Sequence, residues 1–347
     1  MRYPKLTQAL RSPQARTGAR QRRARAWLLR YYALVNPSVL ESIGNTDLVQ
    51  LRSVVPPHCG TVAVKLEWQN PTGSMKDRMA LAAIGRAEED GRLQRGYTVV
   101  EYTGGSTGAS LALVCAVKGY GIRVVSSTAF SREKLDHMAA YGAQLTLLQH
   151  EKIDKQLFLD MIAAARELAG QPKTYWTNQL ENIDMAHGYE PIGREAWRQT
   201  GGRVDAFVQM VGTSHSLRGV ASALKAHNPA CKIVAVEPAE SAVLSGGSTG
   251  SHGIEGVGIG YVPPLWEPSI IDRIVPVSTE EAKGMARRLA REEGLFAGTS
   301  SGANVCAAIE IAKELGPAAT VVTLMIDSGL KYLSTDLYST PKSGAYT

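Results

Sequence analysis

From Pro37 onward the chain alternates short β-branched and apolar runs with Ala- and Leu-rich stretches whose apolar positions recur at helical spacing. This is the pattern of βαβ units with parallel strands, and not of an all-β protein or a helix bundle. It predicts strands at Thr61–Glu67, Thr98–Tyr102, Arg123–Ser126, Gln144–Leu148, Ala206–Met210, Lys232–Glu237 and Thr320–Leu324. Helices are predicted at Met79–Asp90, Thr107–Lys118, Ile153–Ala169, Leu217–Ala226, Thr279–Glu293 and Asn304–Glu314. The Gly- and Ser-rich stretch Ser245–Gly253 reads as a surface loop. No internal repeat is present.

A length of 347 residues with 44% hydrophobic composition is enough for one large or two ordinary α/β domains. The longest apolar stretches, Val321–Ile326 and Leu111–Val117, fall far short of the roughly 20 residues that cross a bilayer. No membrane association is expected. The net charge of +6 is unevenly distributed, because nine basic residues, from Arg2 to Arg30, precede the first acid, Glu41, and leave the remainder at −3. Residues 1–36 therefore read as a basic, flexible extension. A nucleic-acid contact or a targeting peptide are the other readings its composition allows. Cys59, Cys115, Cys231 and Cys306 form no CxxC pair, and the seven histidines form no HExxH or HxxxH pair, so no metal site is expected. Free thiols fit a reducing cytoplasm.

Two predicted strands end in hydroxyl- and glycine-rich loops that open directly into helices: Tyr102-Thr-Gly-Gly-Ser-Thr-Gly and Val211-Gly-Thr-Ser-His-Ser. Backbone N–H groups converge at such a turn on the positive end of a helix dipole, which suits a phosphate or a carboxylate. Helix caps use the same residues for structural reasons alone, so neither loop is decisive by itself. The segment Asn70-Pro-Thr-Gly-Ser-Met-Lys-Asp-Arg places Lys76 between a Gly-Ser turn and a helix, where a lysine is ordinarily a solvated charge.

Residues 38–340 resemble the cysteine synthase and cystathionine β-synthase family of pyridoxal phosphate enzymes. Five blocks carry the resemblance in family order: Asn70–Arg78, Thr103–Gly108, Gly212–Ser216, Ala297–Gly302 and Ser328–Thr335. The resemblance implies the tryptophan synthase β-like fold (fold type II), two α/β domains with open, twisted, mainly parallel sheets. The smaller would span 70–182, and the larger 37–69 and 183–340. The cofactor would lie between them, with closure over the substrate. Lys76 matches the lysine that forms the Schiff base with pyridoxal 5'-phosphate and later takes the Cα proton. Gly212, Thr213, Ser214, His215 and Ser216 match the phosphate cup. Ser214 and His215 replace two glycines there, and His215 either donates to the phosphate or points out of the cup. Ser328 matches the hydroxyl that meets the pyridine nitrogen.

Thr103, Gly104, Gly105 and Thr107 match the loop that holds the substrate carboxylate, with Gln179 closing on it. Here the sequence departs from the family's Thr-Ser-Gly-Asn-Thr-Gly. Gly104 removes a hydroxyl, and Ser106 stands where an asparagine normally reaches the cofactor's 3′ oxygen. The resemblance implies β-replacement on an O-activated serine, O-acetylserine plus sulfide giving cysteine through an aminoacrylate. The altered loop leaves β-elimination, as in a cysteine desulfhydrase or serine dehydratase, as an alternative. A non-catalytic binding protein with a nucleic-acid-contacting arm is a third reading, opposed by the presence of Lys76. A haem-bound cystathionine synthase is not expected, because the first 57 residues contain neither Cys nor His. The expected partners are small molecules and a second copy in a homodimer. Nucleic acid is not among them.

Overall fold

The computed structural model describes residues 36–338, except 152 and 154. The basic extension up to residue 35 lies outside the described residues. The chain divides into a segment ending at Ser42 and a body from Ile43. Within the first, Val39–Ser42 make one 3-10 turn, with Ser42 Oγ donating to Val39 O at 2.6 Å.

The body contains two sheets. Strands β1 (Leu48–Gln50), β2 (Thr61–Leu66), β7 (Ala206–Met210), β8 (Lys232–Pro238), β9 (Arg273–Val277) and β10 (Thr320–Met325) form the larger, in the order β1-β2-β10-β7-β8-β9. Strands β3 (Thr98–Tyr102), β4 (Gly121–Ser127), β5 (Gln144–Leu148) and β6 (Thr174–Trp176) form the smaller, in the order β5-β4-β3-β6. All pairings are parallel except β1 with β2. The α/β class with mainly parallel sheets is therefore the fold.

Both faces of the larger sheet are covered, which is why its strands read as unbroken apolar runs. On β7, Val208 and Met210 enter one core cluster, shared with Ala303 and Val305 of helix α9 (Thr299–Leu315). Phe207 enters the other, with Val220 of α7 (His215–His227) and Ile192 of α6 (Glu190–Gln199). Beside the smaller sheet, α4 (Lys155–Ala169) buries Leu157, Met161 and Ala165, spaced four apart on one face. The remaining helices are α1 (Lys76–Glu89), α2 (Ser106–Lys118), α3 (Arg132–Ala140), α5 (Asp184–His187) and α8 (Thr279–Arg288). The helix expected at 279–293 opens on a Ser278–Glu281 capping box but passes into a π-helical turn at Leu289–Glu293.

A buried ionic network joins β2, α1 and α6. Arg78 donates to Glu67 at 2.7 Å and to Glu195 at 2.8 Å, while Lys65 pairs with Glu195 at 2.7 Å. All four side chains are buried. Thr46 Oγ1 donates to Glu67 and accepts from Lys65, both at 2.7 Å, so each charge is paired and hydrogen-bonded. The network holds the start of α1 against the sheet.

Candidate active site

The C-terminal ends of β3, β7 and β10 open on one cavity of about 770 Å³, where parallel sheets present loops and helix N-termini. Lys76, the first residue of α1, lines it. The turn before it is clamped by Asp77, which accepts from Thr72 N at 2.8 Å and from Thr72 Oγ1 at 2.5 Å. Lys76 Nζ makes no hydrogen bond among the described residues. It lies 6.0 Å from the centroid of the Tyr189 ring. Burial pulls its pKa down to about 8, against the opposing pull of the Asp327 carboxylate.

The cup between β7 and α7 is tight. A Cβ on Gly212 would stand 2.8 Å from Gly256 O, so only glycine fits. Ser214 holds a left-handed φ of 72°, a conformation that costs a side-chain-bearing residue roughly 1–2 kcal/mol. Its Oγ is buried with no hydrogen-bond partner. The amides of Gly212, Thr213 and Ser214 find no acceptor among the described residues, and those of the first turn of α7 are open by helix geometry. Ser216 and Thr213 line the cavity. Gln209 Nε2 donates to Ser216 Oγ at 2.5 Å.

His215 is turned out of the cup. Its Nε2 bonds Asn182 O at 3.0 Å, and since a carbonyl only accepts, Nε2 carries the hydrogen. Nδ1 then accepts from Thr213 Oγ1 at 2.7 Å. Burial, and next the charge of Lys76, pull the ring's pKa down to about 3, so it is neutral. Of the two readings of His215, the geometry fits the one in which it points out of the cup, as a neutral ring bracing the cup from behind.

Ser328 needs correction. Its Oγ caps a 3-10 turn, accepting from Leu330 N at 3.3 Å, and its amide bonds Gly73 O at 3.0 Å. It does not line the cavity, whereas Ser300 on the first turn of α9 does. Ser300 is 3% exposed, and its hydroxyl makes no hydrogen bond among the described residues, so it is open to a ligand. Three consecutive hydroxyls, Thr299, Ser300 and Ser301, at the start of a helix are the signal that could have found it.

Thr103, Gly104, Gly105, Ser106, Thr107 and Gln179 are brought together on the opposite wall. Thr103 Oγ1 accepts from Gly105 N at 3.0 Å and keeps its own hydrogen. Thr107 Oγ1 donates to Gln179 Oε1 at 3.0 Å, and Gln179 Nε2 donates to Tyr102 O at 2.6 Å, leaving one amide hydrogen. Ser106 Oγ reaches Asp327 Oδ2 at 3.4 Å, and Tyr332 OH donates to the same oxygen at 2.9 Å. Burial raises the pKa of Asp327. Asp327 and Tyr332 are site residues the sequence did not single out.

Gly104 has a specific structural partner. A Cβ there would lie 2.6 Å from Phe130 Cε1, so the ring occupies the space a side chain would take. Gly104→Ser is expected to cost about 1–3 kcal/mol through this overlap. Adding Phe130→Ala should recover most of that loss, a coupling that a double-mutant cycle followed by thermal unfolding measures.

Over residues 39–327 the chain matches the family described as pyridoxal-phosphate dependent enzyme. The chain belongs to that family. Cysteine synthase of Staphylococcus aureus is 43% identical over 304 residues, covering 87% of this chain and 97% of the relative. The crystal structure of cysteine synthase from Entamoeba histolytica aligns with a TM-score of 0.83 at 35% identity, over 89% of this chain and 93% of that one. The O-acetylserine dependent cystathionine beta-synthase of Helicobacter pylori aligns with a TM-score of 0.83 at 32% identity, over 88% and 100%.

A pyridoxal-phosphate dependent enzyme must offer an amine to the aldehyde, a seat for the phosphate and a polar contact for the ring. The residues present fit that group: an amine without a hydrogen bond, a turn at Gly212–Ser214 with unpaired amides and an open buried hydroxyl all face one cavity.

Proposed function

We propose that this protein replaces the β-substituent of O-acetylserine with sulfide to form cysteine. The observation that carries the reading is the Lys76 amine, set without a hydrogen bond in a cavity bounded by two loops suited to anions. The cysteine synthase relatives support the same chemistry. Bound in this cavity, pyridoxal phosphate supplies an aldehyde and a conjugated ring that spreads negative charge away from the substrate's Cα.

The chain's own residues do the rest. Lys76 Nζ would hold the aldehyde carbon and, once the substrate amine displaces it, take the Cα proton. The amides of Gly212, Thr213, Ser214 and the first turn of α7 would receive the phosphate. Ser300 would meet the ring nitrogen. Being neutral, it holds no proton there as a carboxylate would, which favours loss of a Cβ leaving group. The Thr103 hydroxyl, the Gly104 amide and the free Gln179 hydrogen would hold the α-carboxylate. Residues 70–182 would close on the rest as the smaller domain and shed water from the site. A homodimer, as the family resemblance implies, and a cytoplasmic setting, which the four free cysteines fit, complete the reading.

Assaying the pure protein with O-acetylserine plus sulfide, and separately with cysteine alone, tests it. Pyruvate release from cysteine without synthase activity would replace this reading with β-elimination. The amine also sets a pH dependence. Only neutral Lys76 attacks an aldehyde, and its pKa is lowered to about 8. Capture of pyridoxal phosphate by cofactor-free protein should therefore quicken about tenfold per pH unit on approaching that value and level off above it, followed by stopped-flow absorbance.

A further inference from the structure

The region around Lys76 accounts for the reading above, but the outer part of the cavity is left without a role. There Phe130, Phe158, Ile259 and Tyr261 line the wall, each only partly buried and each packed on the apolar cluster beside the smaller sheet. Phe130 is held against the substrate loop because Gly104 has no side chain. Charged groups nearby are engaged with one another or with the backbone. Lys134 pairs with Glu255, Lys283 pairs with Asp336 at 2.6 Å, and His252 bonds Gly258 O at 2.8 Å. An incoming second substrate therefore meets an aromatic and aliphatic wall on this side, with the exposed Lys155, Thr249 and Ser251 also lining the cavity. Sulfide, with a single heavy atom, gains nothing from such a wall, whereas a ligand with an apolar body gains by covering it.

Resting on the β-replacement reading, we propose that the site also takes, beside sulfide, a nucleophile with an aromatic or branched apolar body, and that Phe130, Phe158 and Tyr261 select it: an arylalkyl thiol in preference to a short alkyl thiol. The step balances without a redox change. The Cβ–O bond breaks and acetate leaves with its electron pair. The thiolate's pair forms the new Cβ–S bond, and the thiol's proton is released to solvent.

The test uses the cofactor-loaded protein and O-acetylserine with three nucleophiles, sulfide, ethanethiol and phenylmethanethiol, the last two being primary thiols that differ mainly in the ring. Product is measured by mass spectrometry. Phenylmethanethiol should exceed ethanethiol in kcat/KM, expressed per thiolate because the ring also makes the thiol more acidic, by about tenfold or more, the gain from covering one ring. Phe158→Ala should bring that ratio close to one. Saturation-transfer NMR with phenylmethanol, which lacks the thiol, should show ring contacts that weaken in the same variant. Equal kcat/KM for the two thiols, with sulfide turnover intact, would overturn the inference and leave the β-replacement reading standing, the wall then serving only to pack when the site closes. A ring preference that survives Phe158→Ala overturns the assignment to this wall. No product with any nucleophile overturns both.

Discussion

Lys76→Ala is expected to reduce turnover by about three orders of magnitude or more and to remove the visible absorbance of the cofactor-loaded protein, with stability little changed. Two roles disappear together, the covalent hold on the aldehyde and the base for the Cα proton. Stability should persist because the Nζ makes no hydrogen bond or ion pair among the described residues, so truncation leaves no buried partner unsatisfied. The turn that presents it is held by other groups, the Thr72–Asp77 clamp and the Met75 amide on Ile326 O at 3.0 Å. Steady-state assay, an absorbance spectrum and a urea titration check the three parts. A variant that turns over at the wild-type rate would show that the mechanism proposed for Lys76 is wrong.

Two residues further on, Arg78→Ala should do the opposite, lowering stability by about 3–5 kcal/mol by leaving Glu67 and Glu195 buried with only Lys65 between them. Chemical denaturation measures it. The same network predicts acid sensitivity. Burial pushes the Glu195 carboxyl upward, but hydrogen bonds and charge from Arg78, then Lys65, prevail and hold it at about 2. A carboxyl held below its ordinary value stabilises the fold above its unfolded-state pKa. That contribution drains away as pH falls from about 4.5 toward about 2. In Arg78→Ala the loss of stability should begin at higher pH.

Much of the fold was legible because its central strands are buried along their length, and the exposed edge strand Gln144–Leu148 was still marked by its leucines. Thr98–Tyr102, Gln144–Leu148 and Ala206–Met210 were predicted with the bounds observed. The strands not foreseen have physical reasons. β1 and β6 are three residues each, and β9 contains Pro276, which only an edge position tolerates. Helices α3 and α6 are charged segments with narrow apolar faces, and α6 carries Pro191 in its first turn. Helices α2, α7 and α9 begin earlier than expected, since their first turns hold Ser, Thr, Gly and His instead of apolar residues.

The candidate site was legible where the chemistry is local to one turn, as at Asn70–Arg78. It was not legible where residues distant in sequence decide which hydroxyl is open. Ser300 and Ser328 both precede or begin helical turns, and what separates them is that Ser300 lines the cavity while Ser328 Oγ is taken by Leu330 N. Phe130 filling the space beside Gly104 is equally invisible in the sequence, although it explains how a loop with glycine at 104 keeps its shape.

The order of strands in the larger sheet bears on how the protein is made. Strand β10 lies between β2 and β7 and pairs with β2 along its full length, yet it is the last strand among the described residues. The smaller sheet draws on one continuous stretch, from Thr98 to Trp176, so it can assemble while the ribosome is still at work. The larger sheet lacks its middle until residues 320–325 emerge, and the strand edges of β2 and β7 stay unsatisfied until then. Truncation before β10 should therefore yield an aggregating polypeptide that retains the smaller sheet, and final closure of the larger sheet should be the slow step of refolding.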